Sequence, residues 1–280
     1  MLGLVLFGKN YTIFNESCCS NTNKRTLYIE ANNFCNASCS FCHNKEKNKK
    51  NIINIDKLEI CIQELLSKKI IDKIVITGGE PTILSNFEEL LFLVQKFDTG
   101  IIHSSITTNG INLSHFSKLI HSFGITYLNI SRHHYLQEKN DYIFNNKTAT
   151  DEDLNKVSIL FEKRCRFNCT LTDDLNNMEE VLKYLNWIKR IGFENVLFRP
   201  IYEESNAIFK ELFVLLKGRK CSDKCECSYG EINNVQVECR NVDITKERKI
   251  ESENNYIRNL IYKSDNFLYG GWSKESVLLF

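Results

Sequence analysis

Residues 35–43 read CNASCSFCH, which places Cys35, Cys39 and Cys42 on one short stretch with His43 directly behind them. Thiolates are soft ligands suited to zinc or to iron–sulfur clusters. A structural zinc site is normally closed by four ligands, and this stretch holds three cysteines. Two chemistries fit: a zinc knuckle completed by His43, or a four-iron cluster gripped at three corners with its last iron open to a substrate or cofactor. A second group lies downstream, where CSDKCECSYGEINNVQVEC supplies Cys221, Cys225, Cys227 and Cys239. Four thiolates can close an auxiliary iron–sulfur cluster or a zinc site; the alternative is four small side chains that simply pack. Asn233-Asn234 reads as a two-residue hairpin turn, which sets Cys239 opposite Ser228 and beside Cys227.

The elements that must position these thiols are legible as an alternation. Strand-like runs fall at Leu27–Ala31, Lys73–Thr77, Ile101–Thr107, Tyr127–Ser131, Arg166–Leu171 and Asn195–Arg199. Helical periodicity lies between them: Leu58, Cys61, Ile62, Leu65 and Leu66; then Phe87, Leu90, Leu91 and Val94; then Met178, Val181, Leu182, Leu185 and Ile188. Strands alternating with helices predict βαβ units and a parallel sheet. The fold expected is α/β, a partial (β/α)6 barrel over residues 1–202 with residues 1–25 as an N-terminal extension. Residues 203–280 are expected to form a small C-terminal cysteine-rich α+β module. Pro81 and Pro200 each follow a predicted strand, at the loop end where barrel-like sheets carry their sites.

Composition narrows the class. The chain has 280 residues, 42% apolar and 25% charged, with a net charge of +1, so no strongly charged partner surface is implied. No apolar run reaches membrane-spanning length. The opening MLGLVLFG is too short, and lacks the basic flank, for a signal peptide. The expected location is cytoplasmic, where thiols stay reduced, so metal rather than disulfide explains twelve cysteines. Cys61 reads as a core residue; Cys165 and Cys169 read as packed, with Cys169 also able to face the barrel interior. Cys18 and Cys19 receive no role. The basic run Lys45–Lys50 reads as a solvated loop, or as a dock for an acidic electron donor. No interleaving of aromatic and basic residues argues for nucleic acid.

The spacing Cys-x3-Cys-x2-Cys after the first strand resembles the signature of the radical S-adenosylmethionine (radical SAM) superfamily, and Phe41 matches its aromatic before the last cysteine. GGEP (Gly78, Gly79, Glu80, Pro81) closes the second strand, TTNG (Thr107–Gly110) the third, and NISRHH (Asn129–His134) the fourth, in the family's order over roughly residues 25 to 202. The resemblance implies a [4Fe-4S] cluster on Cys35, Cys39 and Cys42, with S-adenosylmethionine chelating the open iron. Gly78 and Gly79 would let backbone approach the cofactor; Glu80 would accept from its ammonium or stabilise the loop that does. Thr108, Asn109 and Ser131 lie where members touch the ribose or methionine carboxylate. The Cys221–Cys239 group resembles a shortened SPASM or twitch module, with a spacing that departs from the usual patterns. Residues 166–199 are loosely similar to the strand–helix–strand of molybdenum-cofactor GTP cyclases, a likeness that places strands without naming a substrate.

The implied activity is reductive cleavage of S-adenosylmethionine and hydrogen abstraction from a small-molecule or nucleotide substrate, with electrons from a flavodoxin or ferredoxin. The alternative is a peptide maturase, although residues 1–25 are too few for a peptide-recognition domain. From another class, the chain would be a non-catalytic metal-binding interaction protein. His133 and His134 are candidates for substrate hydrogen bonding or proton transfer, against a pair of solvated loop histidines. Arg199 is a candidate clamp for carboxylate or phosphate, against an ion pair at the barrel end.

Overall fold

The computed structural model describes residues 2–13, 25–42, 52–98, 100, 102–201, 206–216, 219–222, 225–242, 256–257, 259–272 and 276–280. His43, Lys45–Lys50, Cys18, Cys19 and the side chains of Cys221 and Cys225 lie outside the described residues. A hairpin, β1 (Leu2–Leu6) and β2 (Lys9–Ile13), opens the chain, where only an extension was expected. Six strands then run side by side and parallel: β3 (Arg25–Glu30), β4 (Ile71–Thr77), β5 (His103–Thr108), β6 (Tyr127–Ser131), β7 (Cys165–Leu171) and β8 (Asn195–Pro200). They are the six strands legible in the sequence, and they form a partial (β/α)6 barrel.

The crossovers carry α1 (Ile55–Ser67), α2 (Phe87–Phe97), α3 (Leu113–Ser122), α4 (Gln137–Phe144), α5 (Asp151–Leu160) and α6 (Met178–Arg190), and α7 (Ala207–Leu215) follows the last strand. Helix α1 starts where the Asn54 side chain accepts from the Lys57 N–H, and buries Leu58, Cys61, Ile62 and Leu65 at helical spacing. Helix α4 buries Asn140 and Asp141 beside Phe144, so its inward face is mostly polar and leaves no apolar period to read.

Strand alternation divides the sheet into two unlike faces. Leu27, Ile29, Ile74, Ile76, Ile106, Leu128, Ile130, Phe167, Cys169, Val196 and Phe198 join helix residues such as Ile62, Leu91 and Leu185 in one buried apolar cluster. Cys169 therefore faces the helices, not the interior. The intervening residues, among them Tyr28, Lys73, Ser105, Asn129, Arg166, Asn168 and Arg199, form the inner face. Parallel sheets covered on both sides normally read as unbroken apolar runs; a polar inner face marks a concavity built to hold something polar.

Past residue 202 the alternation continues for one more helix, α7, and the chain then returns to the same sheet as consecutive strands. Strands β9 (Arg219–Ser222), β10 (Cys225–Ile232) and β11 (Val235–Val242) extend it beyond β8, with β11 parallel to β8. After β12 (Tyr256–Ile257), which pairs with β2, strands β13 (Leu260–Tyr262) and β14 (Leu268–Tyr269) extend the opposite edge, with β13 parallel to β3. The β10–β11 turn is Asn233-Asn234, with φ of 53° and 59°, the left-handed pair that a type I′ turn requires.

The ladder sets Ser228 opposite Cys239 as expected, but it corrects the thiolate set. Cys227 pairs with Arg240, so its side chain shares the Arg240 face; Cys239, one residue along, points to the other. Cys239 is a free thiol packed in the apolar cluster, and burial pushes its pKa up to about 12. Cys227 is buried and disulfide-bonded. The two sulfurs on opposite faces of one ribbon do not belong to one ligand group.

Candidate active site

Cys35, Cys39 and Cys42 lie on the loop leaving the C-terminal end of β3, and all three are free, half-buried thiols. The loop is held from two sides. From the end of β4, the Gly79 N–H donates to the Asn32 carbonyl at 2.7 Å and the Glu80 N–H to the Phe34 carbonyl at 2.9 Å. The Asn32 amide returns a bond to the Glu80 carbonyl at 2.9 Å. From the end of α4, the Ser38 N–H donates to the Phe144 carbonyl at 2.9 Å, and the Asn146 amide to that of Asn36 at 2.7 Å.

The glycines serve this seat. A Cβ on Gly79 would lie 2.0 Å from the Phe34 carbonyl oxygen, and one on Gly78, at φ +129°, 2.7 Å from that of Asn32. Their close approach is to the cysteine loop itself, whereas the sequence suggested approach to a cofactor. Gly79→Ala is therefore expected to push the loop off β4 and lower stability by about 3 kcal/mol. A denaturant titration checks this; a midpoint equal to that of the unaltered protein would show that the loop is not seated so.

Glu80 is fully buried and ties the motifs together. Its Oε1 accepts from the Thr82 N–H (3.2 Å), the Thr82 hydroxyl (2.7 Å) and the Thr108 hydroxyl (2.7 Å), and its Oε2 from the Asn109 N–H (2.6 Å). Burial pushes the carboxyl's pKa up, and the Asn109 N–H, the Thr108 hydroxyl and Thr82 push against it. Of the two roles expected for Glu80, the geometry matches stabilising the loop. Pro81 opens the short 3-10 turn that follows and is itself buried. The Thr108 hydroxyl is taken by Glu80, so it braces the site rather than facing a ligand. The Asn109 amide donates to Asn36 Oδ1 at 2.7 Å and to the Cys35 sulfur at 3.5 Å. Ser131 ends β6 on the inner face.

His133 and His134 are buried, which corrects the picture of solvated histidines. His133 sits between the edge contact of Phe41 at 4.9 Å and the stacked ring of Phe144 at 5.0 Å. Its Nδ1 accepts the Thr170 N–H at 3.0 Å, so the neutral ring carries its proton on Nε2. His134 Nδ1 accepts the Leu136 N–H at 2.9 Å. Burial first, then the Arg132 charge, lowers the His133 pKa to about 3; burial first, then Lys139, lowers that of His134 to about 4. Neither titrates near neutrality, so neither is a proton shuttle at pH 7. Both nevertheless leave a pH signature. The unfolded rings take up protons below about pH 6.5 while the folded ones do not, so stability is full above that pH and declines as pH falls toward the folded pKa. His133 alone contributes a slope of up to about 1.4 kcal/mol per pH unit between pH 6.5 and 3. Urea midpoints from pH 7 to 4.5 should show the decline, and His133→Asn, which keeps an acceptor for Thr170, should flatten it.

Arg199 ends β8 on the inner face, and its buried Nε meets no acceptor among the described residues. Sequence reasoning missed Asn32, Asn36 and Asn140, the last of which accepts the His133 N–H at 2.9 Å. A lone asparagine outside a motif carries no signal for such a role. Among the described residues no three His, Cys, Asp or Glu side chains converge as they stand on one metal position. A cluster ligated by one thiolate per iron does not require that convergence.

A family model described as the Radical SAM superfamily matches residues 29–216, more than half of the chain. The chain belongs to the radical SAM superfamily. Membership implies a [4Fe-4S] cluster and S-adenosylmethionine, and the donor set here fits: three free thiols on one loop, with the Ala37 N–H (3.3 Å) and the Asn109 amide both aimed at the Cys35 sulfur. Among radical SAM relatives, the GTP 3′,8-cyclase of Aquifex aeolicus is 26% identical over 175 residues, 60% of this chain and 54% of that protein. The chain thus spans about half the length of this relative. Streptococcus suis SuiB bound to S-adenosylmethionine has a similar fold (TM-score 0.64, 13% identity) over 91% of this chain and 62% of its own. So does anSMEcpe with bound AdoMet (TM-score 0.57, 18% identity), over 89% of this chain and 74% of its own. Among the described residues no helix is long and apolar enough to cross a membrane.

Proposed function

We propose that the protein is a radical SAM enzyme that cleaves S-adenosylmethionine and abstracts hydrogen from a peptide substrate held in the polar barrel. The observation that carries the catalytic part is the joined seat: one buried carboxylate, Glu80, bonds the third-strand motif while its own backbone bonds the cysteine loop. Cys35, Cys39 and Cys42 would hold the cluster. When bound, the cluster and S-adenosylmethionine supply the electron and the reactive adenosyl group that the protein's side chains cannot. The chain's own part is positioning. Gly79 and Glu80 lock the loop to β4, Asn109 steadies the Cys35 sulfur, and His133 backs Phe41. Ser131, on the inner face at the strand end, is assigned to contact with the cofactor's polar groups. A flavodoxin or ferredoxin is the proposed electron donor.

The peptide assignment is supported by the solved relatives that share the fold across about nine-tenths of the chain, SuiB having also been solved bound to precursor peptide SuiA. A small-molecule or nucleotide substrate is the second reading, favoured by the 26% identity over 175 residues with the GTP 3′,8-cyclase of Aquifex aeolicus. For the C-terminal segment, Cys239 is set aside, and Cys227, held in a disulfide here, would join Cys221 and Cys225 in an auxiliary metal site only after reduction. After anaerobic reconstitution with iron and sulfide, the protein should be brown and should release 5′-deoxyadenosine from S-adenosylmethionine on reduction. Colourless protein that binds zinc tightly instead would refute the enzyme assignment.

A further inference from the structure

The inner face holds a charge imbalance that the catalytic seat does not use. Lys73 on β4, Arg166 on β7, Arg199 on β8 and Arg240 on β11 gather near the carboxylate of Glu238 on β11. In a flat sheet, β4 and β11 would stand five strand spacings apart, about 24 Å. Yet Lys73 feels Arg166, Arg240 and Glu238 directly, which means the sheet curls until the two strands face each other across the concavity. Arg166 donates to Glu238 at 2.9 Å and to Asn129 Oδ1 at 2.8 Å, and Arg240 also donates to Glu238. Glu238 is thereby held below its usual carboxylate range although burial opposes this: Arg240 and Arg166 outweigh the loss of water.

An ion-pair network that only closed the barrel would balance its charges. Among the described residues this one does not, because Glu238 bridges Arg166 and Arg240 and Asp72 acts on Lys73, which leaves Arg199 over. The Lys73 ammonium is pushed below its ordinary pKa by desolvation first and then by Arg166 and Arg240. The Arg199 Nε is buried and meets no acceptor among the described residues. Two neutral polar atoms of the same face, Ser105 Oγ and Asn168 Oδ1, are buried and unpartnered as well. Each such atom is destabilising unless a ligand or water satisfies it. The side chains of Arg166 and Glu238 keep 24% and 16% of their exposure, so the group lines a space open to solvent rather than a sealed core.

We propose that this inner face is a carboxylate-binding subsite, centred on Arg199 with Lys73 deeper on the same face, that seats an acidic side chain of the substrate; it rests on the peptide reading above. A planar carboxylate matches the arginine fork, as Glu238 already does on Arg166. Lys73 lies four residues before the end of β4, about 13 Å below the cysteine loop by strand rise. Arg199 lies one residue before the end of β8, so the subsite runs from the mouth inward and holds the chain by its acidic residue while a neighbouring residue faces the cofactor.

The test uses the full chain without cluster or S-adenosylmethionine, titrated calorimetrically at low salt with glutarate, with neutral glutaramide and with pyrophosphate. Glutarate should bind and glutaramide should not. Arg199→Gln and Lys73→Met should each weaken glutarate by about tenfold or more, and added salt should weaken it further. Lys73 reaches solvent, so its variant should fold even if the arginine variant does not. Pyrophosphate binding without glutarate binding would overturn the carboxylate assignment in favour of a phosphate-bearing substrate. Glutarate binding unchanged in both variants, or absent from the unaltered protein, would overturn the subsite. Release of 5′-deoxyadenosine by the reconstituted protein is read separately, so failure of the catalytic assignment is distinguishable from failure of the subsite.

Discussion

Cys39→Ala is expected to abolish 5′-deoxyadenosine release, with a loss of at least about a thousandfold, while leaving the fold in place. Cys39 is the middle one of the three cysteines assigned to the cluster, on a loop whose backbone holds it to β4 and α4. Its half-buried side chain lies outside the apolar core cluster, so truncation should cost less than about 1 kcal/mol of stability. The two readouts must separate. Iron content and visible absorption after reconstitution should collapse while the denaturation midpoint stays within error. Release at the unaltered rate would remove the cysteine from its assigned role, and the catalytic proposal with it.

Glu80→Gln carries the second largest expectation, and here stability moves first. The carboxylate takes four hydrogen bonds, and its Oε2 faces the Asn109 N–H. An amide NH2 in that position would set donor against donor at a fully buried position, at a cost of about 3 kcal/mol. The third-strand motif would come loose from the cysteine loop, so iron retention should fall in parallel with the denaturant midpoint. A glutamine variant as stable as the parent would mean that Glu80 is already protonated in the folded protein, with the threonine hydroxyls accepting.

The six central strands were legible because their apolar sides alternate with polar ones, and the three cysteines because their spacing is local. What escaped notice depends on contacts between distant segments. Helix α4 turns Asn140 and Asp141 inward, so no apolar period announced it. The burial of His133 and His134 was hidden because a histidine's neighbours, here Phe41, Phe144 and Thr170, come from three separate elements. The hairpin turn at Asn233-Asn234 was readable from two residues, yet the same reading gathered Cys227 and Cys239 together although period-two alternation puts them on opposite faces. The cation group was invisible for a similar reason: it requires the sheet to curl before Lys73 and Arg240 can meet.

The pairing of β13 with β3 sets a condition on biosynthesis. Leu260 lies beside Leu27, so one edge of the strand that leads into the cysteine loop finds its partner only after more than 200 further residues have left the ribosome. Until then that edge is an open template for other chains. Truncation just before Leu260 should consequently yield inclusion bodies, although every motif of the catalytic seat would still be encoded.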